Sequence, residues 1–144
     1  MPFIVLEGSD EVGKSTTSYE LVKIAASHGW PVYLVHHVRG DSTSLKVWED
    51  IRFVEAHQHN TFIIFDRWFY SELVYSVWED RTPDIVVTDQ MLDAINDFCQ
   101  LIIFDDETGK YDALHSHATH TIKAKFDRPE HIALYLYNLC GGVK

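Results

Sequence analysis

Apolar and polar positions follow one another along this chain in a strand–helix rhythm. Phe3 to Glu7 reads as a continuous apolar run that ends in glycine, which predicts a strand covered on both faces. Lys14 to His28 carries Leu21, Val22, Ala25 and Ala26 at helical spacing, with Gly29 marking its end. Pro31 to His37 predicts a second strand, and Leu45 to His57 a helix with Leu45, Trp48, Ile51 and Val54 along one side. Thr61 to Asp66 is the plainest strand, followed by a helix from Trp68 to Trp78. Beyond the Pro83 loop, Thr88 can cap another helix whose stripe is Met91, Leu92, Ile95, Phe98 and Cys99, and Leu101 to Asp105 is a fourth buried strand.

Thr121 to Phe126 alternates like a half-buried edge strand. Asp127 with Glu130 forms a capping box for a last helix, where Ile132, Tyr135, Leu136, Leu139 and Cys140 share a face and Gly141 ends it. Repeated strand–helix units with short loops predict an α/β fold in three layers: a parallel sheet of about five strands with helices on both faces.

The length of 144 residues suits one domain over 1–144, with neither repeat nor linker to divide it. No apolar stretch approaches the roughly 20 residues of a membrane span, so no membrane partner is expected. Met1 to Leu6 lacks the basic and apolar regions of a signal peptide, so a cytoplasmic protein is expected. Cys99 and Cys140 show no metal or disulfide spacing and read as reduced small hydrophobes. Twelve basic against 22 acidic side chains give a net charge of −10, which repels long nucleic acid but leaves room for a small nucleotide held by a few focused cations.

The strongest chemical signal is Gly8-Ser-Asp-Glu-Val-Gly13-Lys14-Ser15, which fits G-x-x-x-x-G-K-[ST] between a buried strand and an amphipathic helix. Gly8 and Gly13 let the backbone curl, so that the amides of Ser9, Asp10, Glu11 and Val12 and the positive helix end surround phosphate oxygens. Lys14, expected as an exposed cleft side chain, would reach the β- and γ-phosphates of ATP, Ser15 would ligate Mg²⁺, and Thr16 follows in the helix. The segment resembles the P-loop, and the P-loop NTPase fold is the one expected here.

Asp66-Arg67 ends the third strand. In a doubly wound sheet ligands bind beyond the carboxyl ends of the strands, so the pair should share the crevice of the phosphate loop. Asp66 would support Mg²⁺ or its waters, and Arg67 an anionic group.

Ile4 to Thr16 resembles the opening of the thymidylate kinases, whose loop reads G-x-D-x-x-G-K-[ST]. Asp66-Arg67-Trp68-x-x-Ser71-x-x-Val74-Tyr75 is similar to that family's D-R-[YF]-x-x-S-x-x-A-Y segment, and to the E-R-S-x-Y-S stretch of the deoxynucleoside kinases. Arg39-Gly-Asp-Ser-Thr43 sits where the family carries a turn that contacts substrate phosphate. The resemblance implies a nucleotide kinase using ATP and Mg²⁺ on a small-molecule nucleotide acceptor. Asp10 would orient the acceptor, Arg39 and Arg67 hold its phosphate, and Ser71 and Tyr75 lie near base or sugar. A second copy of the chain, as a homodimer, is a further partner to consider.

Several residues depart from that pattern. The chain is shorter than family members usually are, and Ser76 replaces the glutamine that usually follows the tyrosine. The loop has Glu11 where an arginine can stand, and Lys110 is the one cation between Glu107 and Ala118. Lys110, Arg81 or Arg128 would have to substitute for the missing arginine.

Nine histidines include His36-His37 at the end of the second strand, where one could touch substrate; the others read as solvated or packing residues. Trp48, Trp68 and Trp78 read as core residues before base-stacking ones, with Trp68, which follows Arg67, the best stacking candidate among them. Asp105-Asp106-Glu107 reads as a solvated loop from which an aspartate could reach magnesium. The expected function is phosphoryl transfer from ATP to a (deoxy)nucleoside monophosphate. The alternatives are a deoxynucleoside kinase and a non-catalytic nucleotide-binding protein.

Overall fold

The computed structural model describes residues 3–8, 13–37, 43–80, 89–96, 99–105, 108–114, 120–123 and 128–140. In chain order the elements are β1 (Phe3–Gly8), α1 (Lys14–Ser27), β2 (Val32–His36), α2 (Ser44–His57), β3 (Phe62–Asp66), α3 (Tyr70–Trp78), α4 (Asp89–Asn96), β4 (Gln100–Asp105), β5 (His120–Lys123) and α5 (Pro129–Leu139). The strands form one parallel sheet in the order β2-β3-β1-β4-β5. The chain moves outward from β1 to β2, returns through β3 and crosses to β4, so the winding reverses beside β1.

Because successive strand residues point to opposite faces, the central strands divide their side chains between two cores. Phe3 and Val5, Ile63 and Phe65, and Leu101 and Ile103 pack under α2, α3 and α4. Ile4 and Leu6, Phe62 and Ile64, and Ile102 and Phe104 pack under α1 and α5. Three layers result, with β1, β3 and β4 buried on both sides.

Three helical expectations need correction. In α2 the buried stripe is Val47, Ile51 and Val54, joined by Asp50, while Leu45 is 70% exposed. A series spaced strictly by three drifts by roughly 60° per step around a helix of 3.6 residues per turn, so Leu45 lies half a turn away from Val54. In α5 the same drift turns Tyr135 outward and brings in Ala133 and Tyr137 beside Ile132, Leu136 and Cys140. The α5 N-cap is Arg128, without a side-chain cap bond, because Pro129 with its fixed φ takes the first helical position. Asp127, and with it the expected capping box, lies outside the described residues, as do Thr88, Phe98, residues 124–126 and Gly141.

Among the described residues no helix is long and apolar enough to cross a membrane. Cys99 and Cys140 are free thiols packed against the two cores, and burial pushes Cys140 up to about 12.

Candidate active site

The ends of β1 and β3 and the start of α1 build the site. Gly8 has φ +150°, and a Cβ there would stand 2.7 Å from the carbonyl oxygen of Phe104 and 2.8 Å from its Cβ. Only glycine lets β1 leave the sheet so close to β4. Gly13, at φ +82°, is the N-cap of α1 and offers no side-chain cap, so the first N–H groups of this 14-residue helix are left to another acceptor. Ser9, Asp10, Glu11 and Val12 lie outside the described residues.

Strand parity then assigns the charged groups. Asp66 belongs to the same face as Phe62 and Ile64, the face covered by α1, and there it meets the start of that helix. The ammonium of Lys14 donates to Asp66 Oδ1, and both side chains are 2% exposed. Lys14 is therefore buried and paired, against the expectation of an exposed cleft side chain, because the helix start is pressed onto the end of β3. Ser15 Oγ donates to Asp66 Oδ2 at 3.2 Å. His36, in register with Asp66 across β2 and β3, places Nδ1 2.7 Å from the same Oδ2. Thr16 is exposed on α1.

Glu7 has the opposite parity and faces α3. Its side chain is buried; Oε1 accepts the backbone N–H of Trp68 at 2.7 Å and Oε2 accepts the hydroxyl of Ser71 at 2.6 Å. Burial raises its pKa from 4.5 to about 7, opposed by those two bonds and by the charges of Arg67 and Lys14. Sequence reasoning missed Glu7. The available signal was a carboxylate at the last inward position of an otherwise apolar strand, one residue before the phosphate loop.

Arg67 adopts φ +71°, a conformation that side chains other than glycine rarely hold, and its N–H bonds the carbonyl of Leu6 at 2.8 Å. The left-handed residue turns the chain sharply after β3 and leaves Arg67 half-buried beside Glu7. Ser71, expected near base or sugar, donates its hydroxyl to Glu7. Asp10, Arg39 and the side chain of Tyr75 lie outside the described residues. Ser76 is buried and bonds back to the Leu73 carbonyl of its own helix.

Trp68 is not a stacking surface. It is buried among Phe3, Phe65 and Phe69 at edge-to-face geometry, and its indole N–H donates to Asp50 Oδ2 at 2.9 Å. The other oxygen of Asp50 receives Lys46 at 3.2 Å, which raises the lysine's pKa. These residues adjoin a cavity of about 460 Å³ between β2 and α2, lined by Tyr33, Val35, His36, His37, Lys46, Glu49, Asp50, Phe53 and Phe65. It opens next to the Asp66 end of β3.

Among the described residues no group of three or more His, Cys, Asp and Glu is placed to hold a metal. Magnesium on a nucleotide needs fewer protein ligands, since phosphates and waters supply the rest. Two oxygens at right angles on Mg²⁺, each at about 2.1 Å, stand about 3.0 Å apart. Ser15 Oγ and Asp66 Oδ2, two hard oxygen donors, are 3.2 Å apart and fit. Of the substitute cations, Arg128 precedes Pro129, whose Cγ lies 4.0 Å from where a Gly13 Cβ would stand. Lys110 sits in the turn before a short 3₁₀ segment at Asp112–Leu114, and Arg81 is outside the described residues.

No protein-family model matches the sequence, and no curated protein matches it. Solved structures do. The YorR protein of Bacillus subtilis, in complex with phosphorylated GDP, has 21% identity over 96% of this chain and 95% of its own, with a TM-score of 0.61. APE1195 has 14% identity over 98% and 96%, at 0.57. The thymidylate kinase of Ehrlichia chaffeensis has 16% identity over 96% and 97%, at 0.56. The chain has a P-loop NTPase fold. In that fold the meeting of Lys14, Ser15 and Asp66 falls beside β1, where the winding of the sheet reverses.

Proposed function

We propose that the protein is a nucleotide kinase that transfers the γ-phosphoryl group of ATP to a (deoxy)nucleoside monophosphate, in the manner of thymidylate kinases. The observation that carries this is the convergence of Lys14, Ser15 and Asp66 at the start of α1, with Arg67 the next residue after Asp66. The thymidylate kinase neighbour, and the nucleotide that YorR holds, support the reading.

Lys14 places its charge on the donor's β- and γ-phosphate oxygens, and Asp66 keeps that ammonium at the loop. Ser15 and Asp66 would hold Mg²⁺, which would supply neutralisation of the phosphate charge when bound. Arg67 binds the acceptor phosphate as a bidentate cation, and the acceptor's base and sugar occupy the cavity between β2 and α2. Arg128, beside the proline that lies near Gly13, is the cation we assign to the transferring group. Incubation with ATP, Mg²⁺ and a panel of nucleosides and monophosphates tests the reading: ADP above the no-acceptor control is expected with a monophosphate, and none with any acceptor refutes it.

One observation favours a nucleoside acceptor as the second reading. A hydroxyl acceptor needs a general base with a pKa near the working pH, and Glu7, at about 7 beside Arg67, has that property. Turnover with nucleosides alone selects this reading.

A further inference from the structure

Asp66 Oδ2 receives two groups, Ser15 Oγ at 3.2 Å and His36 Nδ1 at 2.7 Å. An ionised carboxylate only accepts, so the imidazole is the donor. The partnership is set by the sheet itself. His36 and Asp66 are paired residues of adjacent parallel strands and share the α1 face, while a bond from the His37 N–H to the Asp66 carbonyl at 3.1 Å extends the pairing past the strand ends. His36 is 44% exposed and Asp66 2%, so the imidazole stands between the carboxylate and solvent, with Tyr19 of α1 at its other side, 6.1 Å away between ring centres.

We propose that His36 is a positioning residue for the Mg²⁺·nucleotide site, fixing the Asp66 carboxylate so that Oδ2 faces Ser15 while Oδ1 keeps Lys14. The proposal rests on the phosphate-site reading above. Without the imidazole the carboxylate is free to rotate about its Cβ–Cγ bond and offer both oxygens to the neighbouring ammonium, which takes the metal-facing oxygen out of place. Partners that hold a metal-ligating carboxylate act in this indirect way, and their loss weakens metal affinity by about 10- to 100-fold. His36 acts on the metal site through Asp66 and not by direct contact with nucleotide or metal. No charge on the imidazole is needed either, since the neutral ring protonated at Nδ1 is already a donor.

The test is calorimetric binding of ADP across a Mg²⁺ titration, with wild type, His36→Leu and His36→Asn. Asparagine carries its amide nitrogen where histidine carries Nδ1, whereas leucine fills space without a donor. His36→Leu should need at least about tenfold more Mg²⁺ for half-maximal tight binding. Its affinity for ADP in EDTA should stay within about twofold of wild type, which also shows that the variant is folded, and His36→Asn should behave like wild type. A His36→Leu titration that overlays wild type, or a His36→Asn as impaired as His36→Leu, overturns the proposal. So does wild-type ADP binding that ignores Mg²⁺. If wild type binds no ADP with or without Mg²⁺, the phosphate-site reading itself fails and takes this inference with it.

Discussion

Replacing Glu7 by glutamine tests whether a buried carboxyl is held at a real cost beneath the P-loop. Burial raises the folded-state pKa from 4.5 to about 7, so the folded protein binds this proton more tightly than the unfolded chain does. The stabilisation from the protonated form is complete below about pH 4.5 and is lost as pH rises through about 7. At roughly 1.4 kcal/mol per pH unit, the loss amounts to about 3 kcal/mol. Glutamine does not titrate and still offers an oxygen to the Trp68 N–H or the Ser71 hydroxyl. Urea unfolding of both proteins from pH 5 to pH 8.5 should therefore show Glu7→Gln gaining about 2–3 kcal/mol on wild type across the range. With an m-value of about 2 kcal/mol/M for a chain of this size, the two midpoints should move by about 1 M relative to each other. Parallel curves, offset by the same amount at every pH, would refute the reasoning, because they would mean that Glu7 has the same pKa folded and unfolded.

Lys14→Ala should abolish ADP binding and also destabilise the protein by about 3 kcal/mol or more, since it strands a buried carboxylate. Lys14→Met combined with Asp66→Leu should recover most of that stability without recovering binding, as urea melts and calorimetry can show. Gly8→Ala, forced against the Phe104 backbone at a left-handed φ, should lose about 3 kcal/mol or fail to give soluble protein; a melting temperature within a few degrees of wild type would count against it. Arg67→Gly relieves the positive φ and should be about 1 kcal/mol more stable than Arg67→Ala. Both should raise the Michaelis constant for a monophosphate acceptor at least about tenfold while ATP affinity moves far less, and an effect confined to ATP would count against the acceptor role.

Much of this was legible in the chain. The buried strands announced themselves because β1, β3 and β4 are apolar on both faces, and the loop motif is defined by local spacing. What depended on three-dimensional pairing was not. Whether Leu45 or Val47 faces the sheet is a matter of helix rotation, which a count by threes cannot fix. Trp68 looked available because it follows Arg67, yet the left-handed turn at Arg67 drives the next residue into the core. Lys14 and Asp66 were both assigned to one crevice, but their mutual neutralisation follows from how closely α1 lies on β3. Glu7 and Asp66 are both carboxyl groups on neighbouring strand ends, and parity alone sends them to opposite layers.

The position of β2 at the margin of the sheet bears on how the molecule wears. Edge strands exchange their amide hydrogens through local openings far cheaper than global unfolding, and among the described residues β2 has a hydrogen-bonded neighbour on one side only. A brief parting of β2 from β3 would withdraw His36 from Asp66 while β1, β3 and β4 stay locked together. The durability of the whole fold and that of the phosphate end of the site are thus separate quantities: on heating, the second is set by the seam between β2 and β3, before the cores give way.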